Sequence, residues 1–487
     1  MSADQQLHSL PEEVVESKKA ARGTTHDPDD TSDRVGPRVA LLTPYDGGNF
    51  GDALIQDAVI ANVRARLPGV QFSGISLSCR NFIQRHSAAA FPLCSDNRCF
   101  YGMSRAGGLA DSREWDTALH KPHGESPNKD QLKRVVKRVP VVGWFVKTIY
   151  RLCARLWGEL RHSVNAYRFL RGQNLVMVSG GGQLDEEWGG TRAHPFALFK
   201  WAILARIVGV PFVFTSVGAG KVTSTTSRFF LSIALRLARS RSYRDKNSRE
   251  IASTLLRRAA TDSVVPDLAF SLPSAELPAS TGNHPISPSG KFVAISPIIY
   301  RKPGCWPNSD HGLYDRYLGQ MALVVSQLLE GGYFVSLIWS SSDDEAAIPE
   351  ILDRLDSESK VRVTHQISIA TIKSWKDIVA ALVDVDFLIA SRLHSEILGF
   401  LTQKPTIAIS FDSKVDWLME DVGQNDYLLR IDDFTADDVM EALHNLELHR
   451  SIVTEQIGSY RTRIASAFAP QYDVLADYAM ASYRSRK

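Results

Sequence analysis

The sequence predicts an α/β protein built of two doubly wound parallel sheets that face each other across a cleft. Three observations lead there. Short apolar runs of strand length alternate with stretches of helical periodicity in both halves of the chain. Those apolar runs are continuous rather than alternating, as strands covered on both faces require. At 487 residues the chain is long enough for two or three domains, each with its own core. One large α/β sheet carrying an insertion is the other arrangement these observations allow.

Residues 1–37 are polar, rich in Asp, Ser and Thr, and without apolar periodicity, which reads as a disordered tail. A first domain is expected over 38–275. It opens with the strand-like RVALLTPY, a glycine loop DGGNFGD and the helical ALIQDAVIANVRARL. The same order of strand, glycines and helix returns in NLVMVSGGGQLDEEW and in VPFVFTSVGAGKVTS, the latter followed by the helical RFFLSIALRLARS. Short runs at SYR and VVPDLAF read as further strands. Residues 276–290 are rich in Ser and Pro and poor in large apolar side chains, the composition of a linker. Beyond it KFVAISPI, YFVSLIWSSS, VDFLIAS and PTIAISF are four strand-like runs of a second domain over 291–445, separated by helical stretches. A helical segment is expected over 446–487.

Composition narrows the function classes. The chain has 56 Lys and Arg against 54 Asp and Glu, 44% hydrophobic and 23% charged residues, which excludes a disordered, collagenous or disulfide-stapled protein. Its five cysteines include no pair at the two-residue spacing of a zinc or thioredoxin site, and point to a reducing, cytoplasmic home. No secretory signal is legible at the N-terminus. Runs without a charged residue reach about 14 residues, short of the ~18 to 20 needed to cross a bilayer. Charge is uneven, however. Residues 130–171 hold ten Lys and Arg against Asp130 and Glu159, a local +8 in a chain of net charge +2, which leaves −6 for the rest.

In parallel α/β sheets, ligands gather outside the carboxyl ends of the strands, where loops and helix N-termini offer backbone N–H groups. The glycine loops fall there. Asn49 and Asp52 flank the first, with Asp52 placed to cap the following helix, and Gly180, Gly181 and Gly182 form the second. Neither loop matches a dinucleotide or P-loop fingerprint. A lone glycine loop is as readily a structural turn as a binding site. After the strand DFLIAS come Arg392 and His394, then a helix beginning near Ser395, so both side chains belong at a strand end where an anion is favoured. Lys414 follows the next strand, and Arg244 ends a strand-like run in the first domain. Against these stand plainer roles: a surface arginine, a satisfied core histidine, a solvated lysine, and an ion pair of Arg244 with Asp245.

The motifs GGNFGD, SGGGQL, SVGAGK, YRDKNS, PDLAF, ISPIIY, SRLHSEILG and ISFDSK, in this order, resemble the polysaccharide pyruvyl transferase family over about Arg38 to Asn445. The resemblance implies two Rossmann-like domains in a GT-B-like arrangement. It also implies transfer of the pyruvate group of phosphoenolpyruvate to two sugar hydroxyls as a cyclic ketal, with no metal or other cofactor. Arg392 and His394 then correspond to the family's R-x-H element, with Arg244 and Arg392 on the donor anions and His394 in phosphate contact or proton transfer. Lys414 corresponds to the lysine after the last strand, its role unassigned. Asn49, Asp52 and Gly180 to Gly182 line the opposite wall, near a sugar or lipid-linked oligosaccharide acceptor. A nucleotide-sugar glycosyltransferase and a noncatalytic polysaccharide-assembly scaffold are the competing functions.

The family pattern is departed from in a long segment over about 81–171. There KRVVKRVPVVGWFVKTIYRLCARLWGELRHSVNAYRFLR interleaves cations with aromatic and aliphatic residues. Two readings stay open: an amphipathic helix or helix pair docking on an anionic membrane from the cytoplasmic side, or a helical insertion packed on the first domain. Nucleic acid is not expected as a partner, because no recognised fold or base-stacking platform accompanies the patch.

Overall fold

The computed structural model describes residues 36–43, 45, 47–95, 140–186, 189–259, 261–278, 291–306 and 308–486. The tail, the segment 96–139 and most of the expected linker lie outside these. The first half runs β1 (Arg38–Thr43), α1 (Phe50–Arg66), β2 (Gln71–Ser76), α2 (Cys79–His86), β3 (Ala89–Pro92), α3 (Pro140–Arg171), β4 (Leu175–Ser179), β5 (Gly182–Leu184), α4 (His194–Val208), β6 (Phe212–Ala219), α5 (Thr225–Leu237), β7 (Ser240–Tyr243), α6 (Lys246–Leu256) and β8 (Ser263–Val264). The second runs β9 (Phe292–Ser296), α7 (His311–Glu330), β10 (Phe334–Leu337), α8 (Ala347–Asp353), α9 (Ser357–Gln366), β11 (Ile367–Ile369), α10 (Trp375–Val383), β12 (Phe387–Ala390), α11 (Leu393–Leu401), β13 (Thr406–Ser410), α12 (Ser413–Val422), β14 (Leu428–Arg430), α13 (Ala436–Leu448) and α14 (Arg450–Arg484).

Among the described residues these strands form two sheets, of eight and six strands, and every pairing is parallel. The orders are β3-β2-β1-β4-β6-β7-β8, with β5 beside β6, and β11-β10-β9-β12-β13-β14. Each sheet therefore reverses its winding once, between β1 and β4 in the first and between β9 and β12 in the second. The loops that follow these four strands leave in opposite directions and open a crevice, the position where doubly wound sheets bind ligands. The protein is thus an α/β chain of two Rossmann-like units facing a cleft. β4 and β6 are buried along their whole length, as their continuous apolar sequences require.

One core, shared between the halves, joins α1 and the short 3-10 turn at Leu268–Ser271 to the helices of the second sheet. A separate core lies between the first sheet and α3, α4, α5 and α6. The chain returns at its end. α14 buries Val453, Ile457, Tyr460, Ile464, Phe468, Tyr472, Leu475 and Ala479 at three- and four-residue spacing. From the second half it reaches back to the first, through Arg66–Asp473 at 2.6 Å and Ser271–Tyr472 at 2.8 Å.

Several expectations are corrected. VVPDLAF is mostly not a strand: only Ser263 and Val264 pair, and Asp267 then caps the 3-10 turn by accepting from Ala269 N. β2, β3, β5, β11 and β14 were not anticipated: AAFP, GQL, ISI and LLR are only three or four residues long, and serine and glycine interrupt QFSGIS. Residues 81–92 complete α2 and the edge strand β3, so the inserted segment starts after the sheet edge rather than at 81. The C-terminal helices begin at Ala436, where Thr435 and Asp438 form a capping box, and α13 runs through 445 to Leu448.

Candidate functional site

The two halves meet at carboxyl strand ends, where the loop after β1 touches the loop after β10. Phe50 N donates to Ser340 O at 3.0 Å, Ser342 N donates to Gly48 O at 2.9 Å, and Asn49 forms an isolated bridge with Ser341. The cap of α1 is Asn49, whose side chain accepts from Gly51 N at 3.0 Å; Asp52, expected in that role, instead sits in the first turn. Gly51 is required sterically. A Cβ there would overlap the ring of His394, which reaches across from the start of α11.

His394 and Arg392 are set by one local device. β12 ends at Ala390, Arg392 has extended backbone at the N-cap of α11, and His394 lies in its first turn, so both project from the strand end as expected. No side chain caps α11, which leaves its positive end to the cleft. Ser395 fixes the turn: its hydroxyl meets Ser296 Oγ at 2.8 Å and Ser340 Oγ at 2.9 Å, tying α11 to the ends of β9 and β10. It is a positioning residue. The Arg392 guanidinium is held in a fork by Asp344, Nε to Oδ2 at 2.7 Å and Nη2 to Oδ1 at 2.9 Å; Asp344 is fully buried and also accepts from Ile299 N.

The first half supplies Arg244, just past β7. It is buried between Asp245 and Asp267, each 3.4 Å away. Burial opposes its charge, yet the two carboxylates more than offset this and raise its pKa further. The ion pair with Asp245 weighed against a binding role is therefore present, with Asp267 as second partner. A Cβ on Gly218 would come within 2.8 Å of Arg244 Nη2, so the guanidinium lies against bare backbone. Ser216 positions that backbone. It takes φ 50° at an irregularity in β6, and its hydroxyl donates at 2.6 Å to Val265 O and Pro266 O. Gly180 and Gly181 have φ 56° and 68°, a conformation that glycine adopts without strain, and Gly181 O accepts from Gly218 N at 2.7 Å. A Cβ on Gly181 would lie 3.4 Å from Asp52 Oδ1, and one on Gly182 would lie 3.2 Å from Asp185 Oδ2. Lys414, in the first turn of α12, pairs with Asp412 at 2.9 Å.

The electrostatics bind this set together. Burial lowers the His394 pKa to about 4; Asp267 opposes the shift, and Arg244, Lys414 and Arg392 add to it. Four residues singled out from sequence, on three strand ends, thus lie within electrostatic reach of one another. Nε2 of His394 is buried and without a hydrogen-bond partner. At neutral pH the ring is neutral, close to three cations and one carboxylate, and its unpartnered Nε2 suits an anion that brings its own hydrogen-bonding group. Sequence reasoning missed Asp344, Asp267 and Ser395 as members of the site. Asp344 follows the strand-like YFVSLIWSSS and was open to discovery as a strand-end carboxylate, whereas Asp267 was hidden by reading its segment as a strand. Among the described residues, no group of three or more His, Cys, Asp and Glu side chains is arranged to hold a metal ion.

Glu396, two residues beyond His394, is fully buried with neither carboxylate oxygen partnered. Burial, then the nearby Asp416, pushes its pKa well above 4.5. The folded state therefore keeps a proton that the unfolded chain releases, and stability falls as pH rises above about 4.5. Glu396→Gln is expected to raise the melting temperature at pH 8 by more than at pH 5, measured by calorimetry; an equal effect at both pH values would contradict the assignment.

A family model described as polysaccharide pyruvyl transferase matches residues 49–413, most of the chain, from the cap of α1 to the first residue of α12. The chain belongs to the polysaccharide pyruvyl transferase family, a family of transferases. No curated protein matches the sequence. Among solved structures, a putative UDP-N-acetylglucosamine 2-epimerase from Listeria monocytogenes is 8% identical, with TM-score 0.49, covering 90% of this chain and 96% of its own. The Anabaena protein HepE, in complex with UDP, is 11% identical, with TM-score 0.49 and coverages of 93% and 100%. The E. coli ADP-heptose heptosyltransferase II is 13% identical, with TM-score 0.40 and coverages of 85% and 99%.

Proposed function

We propose that this protein transfers the pyruvate group of phosphoenolpyruvate to two hydroxyls of a sugar in a polysaccharide or its lipid-linked precursor, forming a pyruvate ketal, at the cytoplasmic face of the membrane. The observation that carries the reading is the convergence of Arg244, Arg392, Lys414 and His394, whose Nε2 has no partner, at carboxyl strand ends of both sheets. Phosphoenolpyruvate carries a phosphate and a carboxylate on one small carbon frame, and two arginines and a lysine on different strand ends match two separate anionic groups. The resident carboxylates hold these cations in place until the donor arrives.

The reaction requires a proton on the methylene carbon of phosphoenolpyruvate, which leaves C2 electron-poor. One sugar hydroxyl adds to C2 and gives up its proton; the C2–O bond to phosphate breaks, and phosphate departs. A neighbouring hydroxyl then adds to C2, loses its proton and closes the ketal. His394 suits a part in the proton traffic only once the donor is bound, because a phosphate beside the ring raises its pKa from the low value of the empty cleft. Arg392 and Arg244 stabilise the departing phosphate. Asn49, Asp52 and the glycines at 180–182 form the facing wall, where little side-chain bulk leaves room for a sugar.

Titration calorimetry with phosphoenolpyruvate, using a panel of nucleotide sugars as competitors, tests this directly. Saturable binding that nucleotide sugars do not displace is the expected result. Binding of a nucleotide sugar without phosphoenolpyruvate binding would move the protein to glycosyl transfer.

A further inference from the structure

Among the described residues α3 shows two apolar faces, and one of them is packed against the first sheet and α4. Ala166 and Leu170 are fully buried and His162 is nearly so, on the side of the helix that packs on α4. There the Phe169 ring stacks on Phe91 at 5.1 Å and meets Trp201 edge-on at 6.3 Å. The only acid of the helix, Glu159, points the same way and is paired with Lys200 of α4 at 2.9 Å. At 100° per residue from Ala166, Leu156 lies about 80° round the helix, Trp157 about 180°, Leu160 about 120°, Val164 about 160° and Tyr167 about 100°, so they form one stripe along an outer flank. They are 62%, 68%, 56%, 43% and 37% exposed, a stripe three turns long in which every large side chain is apolar or aromatic. Arg155, Arg161, Arg168 and Arg171 are exposed on the same helix.

We infer that this outer face of α3 is a docking surface for an anionic phospholipid bilayer, on which the helix lies parallel to the membrane plane. Three features select that occupant. An apolar stripe containing Trp and Tyr and accompanied by arginines matches the boundary between acyl chains and anionic headgroups. The charge is local: residues 130–171 carry +8 against −6 for the remainder, so an anionic plane attracts this helix and repels the rest of the chain. Pairing of two copies through this face would bring like charge against like charge, which disfavours a homodimer. None of the described helices is long and apolar enough to cross a membrane, so the surface lies on the bilayer and does not span it. On this inference the packed reading of the insertion applies to the inner side of the helix and the membrane reading to the outer one. This inference stands independently of the chemistry assigned to the cleft.

Co-sedimentation of the full chain with vesicles of phosphatidylcholine, with and without phosphatidylglycerol, at low and high salt, tests it. Binding is expected with phosphatidylglycerol and is expected to weaken with salt. Trp157→Ser with Leu160→Ser, and separately Arg161→Glu with Arg168→Glu, are each expected to reduce partitioning about tenfold or more. Ile452→Ser, an exposed apolar side chain on α14, is expected to leave it unchanged. Phosphoenolpyruvate binding is read on the same samples, so that failure of the cleft assignment is seen separately from failure of docking. The inference is overturned by absence of binding to phosphatidylglycerol vesicles at low salt, by equal binding in either α3 double variant, or by light scattering that shows a dimer which Trp157→Ser dissociates.

Discussion

Arg392→Ala is expected to weaken phosphoenolpyruvate binding by about ten- to a hundredfold, the equivalent of one charge-assisted pair, and to abolish detectable transfer. It is also expected to cost stability, because Asp344 is fully buried and loses both of its guanidinium bonds. Breaking a buried pair in this way typically costs about 3 kcal/mol or more, and the partial exposure of Arg392 places the expected loss at or below that figure. The two effects separate in Arg392→Ala combined with Asp344→Asn. The amide keeps an acceptor for Ile299 N and removes the stranded charge, so the melting temperature should recover while donor binding does not. Recovery of both would show that Arg392 only anchors Asp344 and never meets the donor.

Gly51→Ala should be the most damaging single-methyl change at the cleft. The added Cβ overlaps the His394 ring, so either the ring turns away from Arg244 and Lys414 or the two halves part at the Phe50–Ser340 bond. Overpacking of this kind costs about 1 to 3 kcal/mol, and displacement of a reacting group by an ångström lowers turnover by roughly two orders of magnitude. The combination Gly51→Ala with His394→Ala distinguishes causes. It removes the clash, so stability should return to that of His394→Ala alone, while transfer stays lost. If Gly51→Ala by itself retains full activity, the close approach of α1 and α11 has no part in the site.

The candidate site was legible in the chain because its residues are carried by strand ends. Arg244, Arg392, His394 and Lys414 each follow a short apolar run, and in an all-parallel sheet every such end lies on the same edge. Chain direction and apolar periodicity are therefore enough to bring these side chains to one rim. The strands that escaped, β2, β3, β5, β11 and β14, lack a continuous apolar run: four of them are only three or four residues long, and Ser73 and Gly74 interrupt β2. Asp52 was given the cap that Asn49 holds, since a helix start cannot be fixed to one residue when Asn49 and Asp52 both suit the role and only backbone angles choose between them.

The sequence alone determined the alternation of strand and helix, the family motifs and the cations at their strand ends, because each rests on residues close in the chain. Tertiary structure decided the rest. Asp344 on Arg392, Asp267 on Arg244 and Gly51 under His394 are separated by 48, 23 and 343 positions, and no local pattern encodes such pairings. The two sides of α3 were decided in the same way: its periodicity announces apolar faces, but only the packing of α4 against one of them shows which is left exposed.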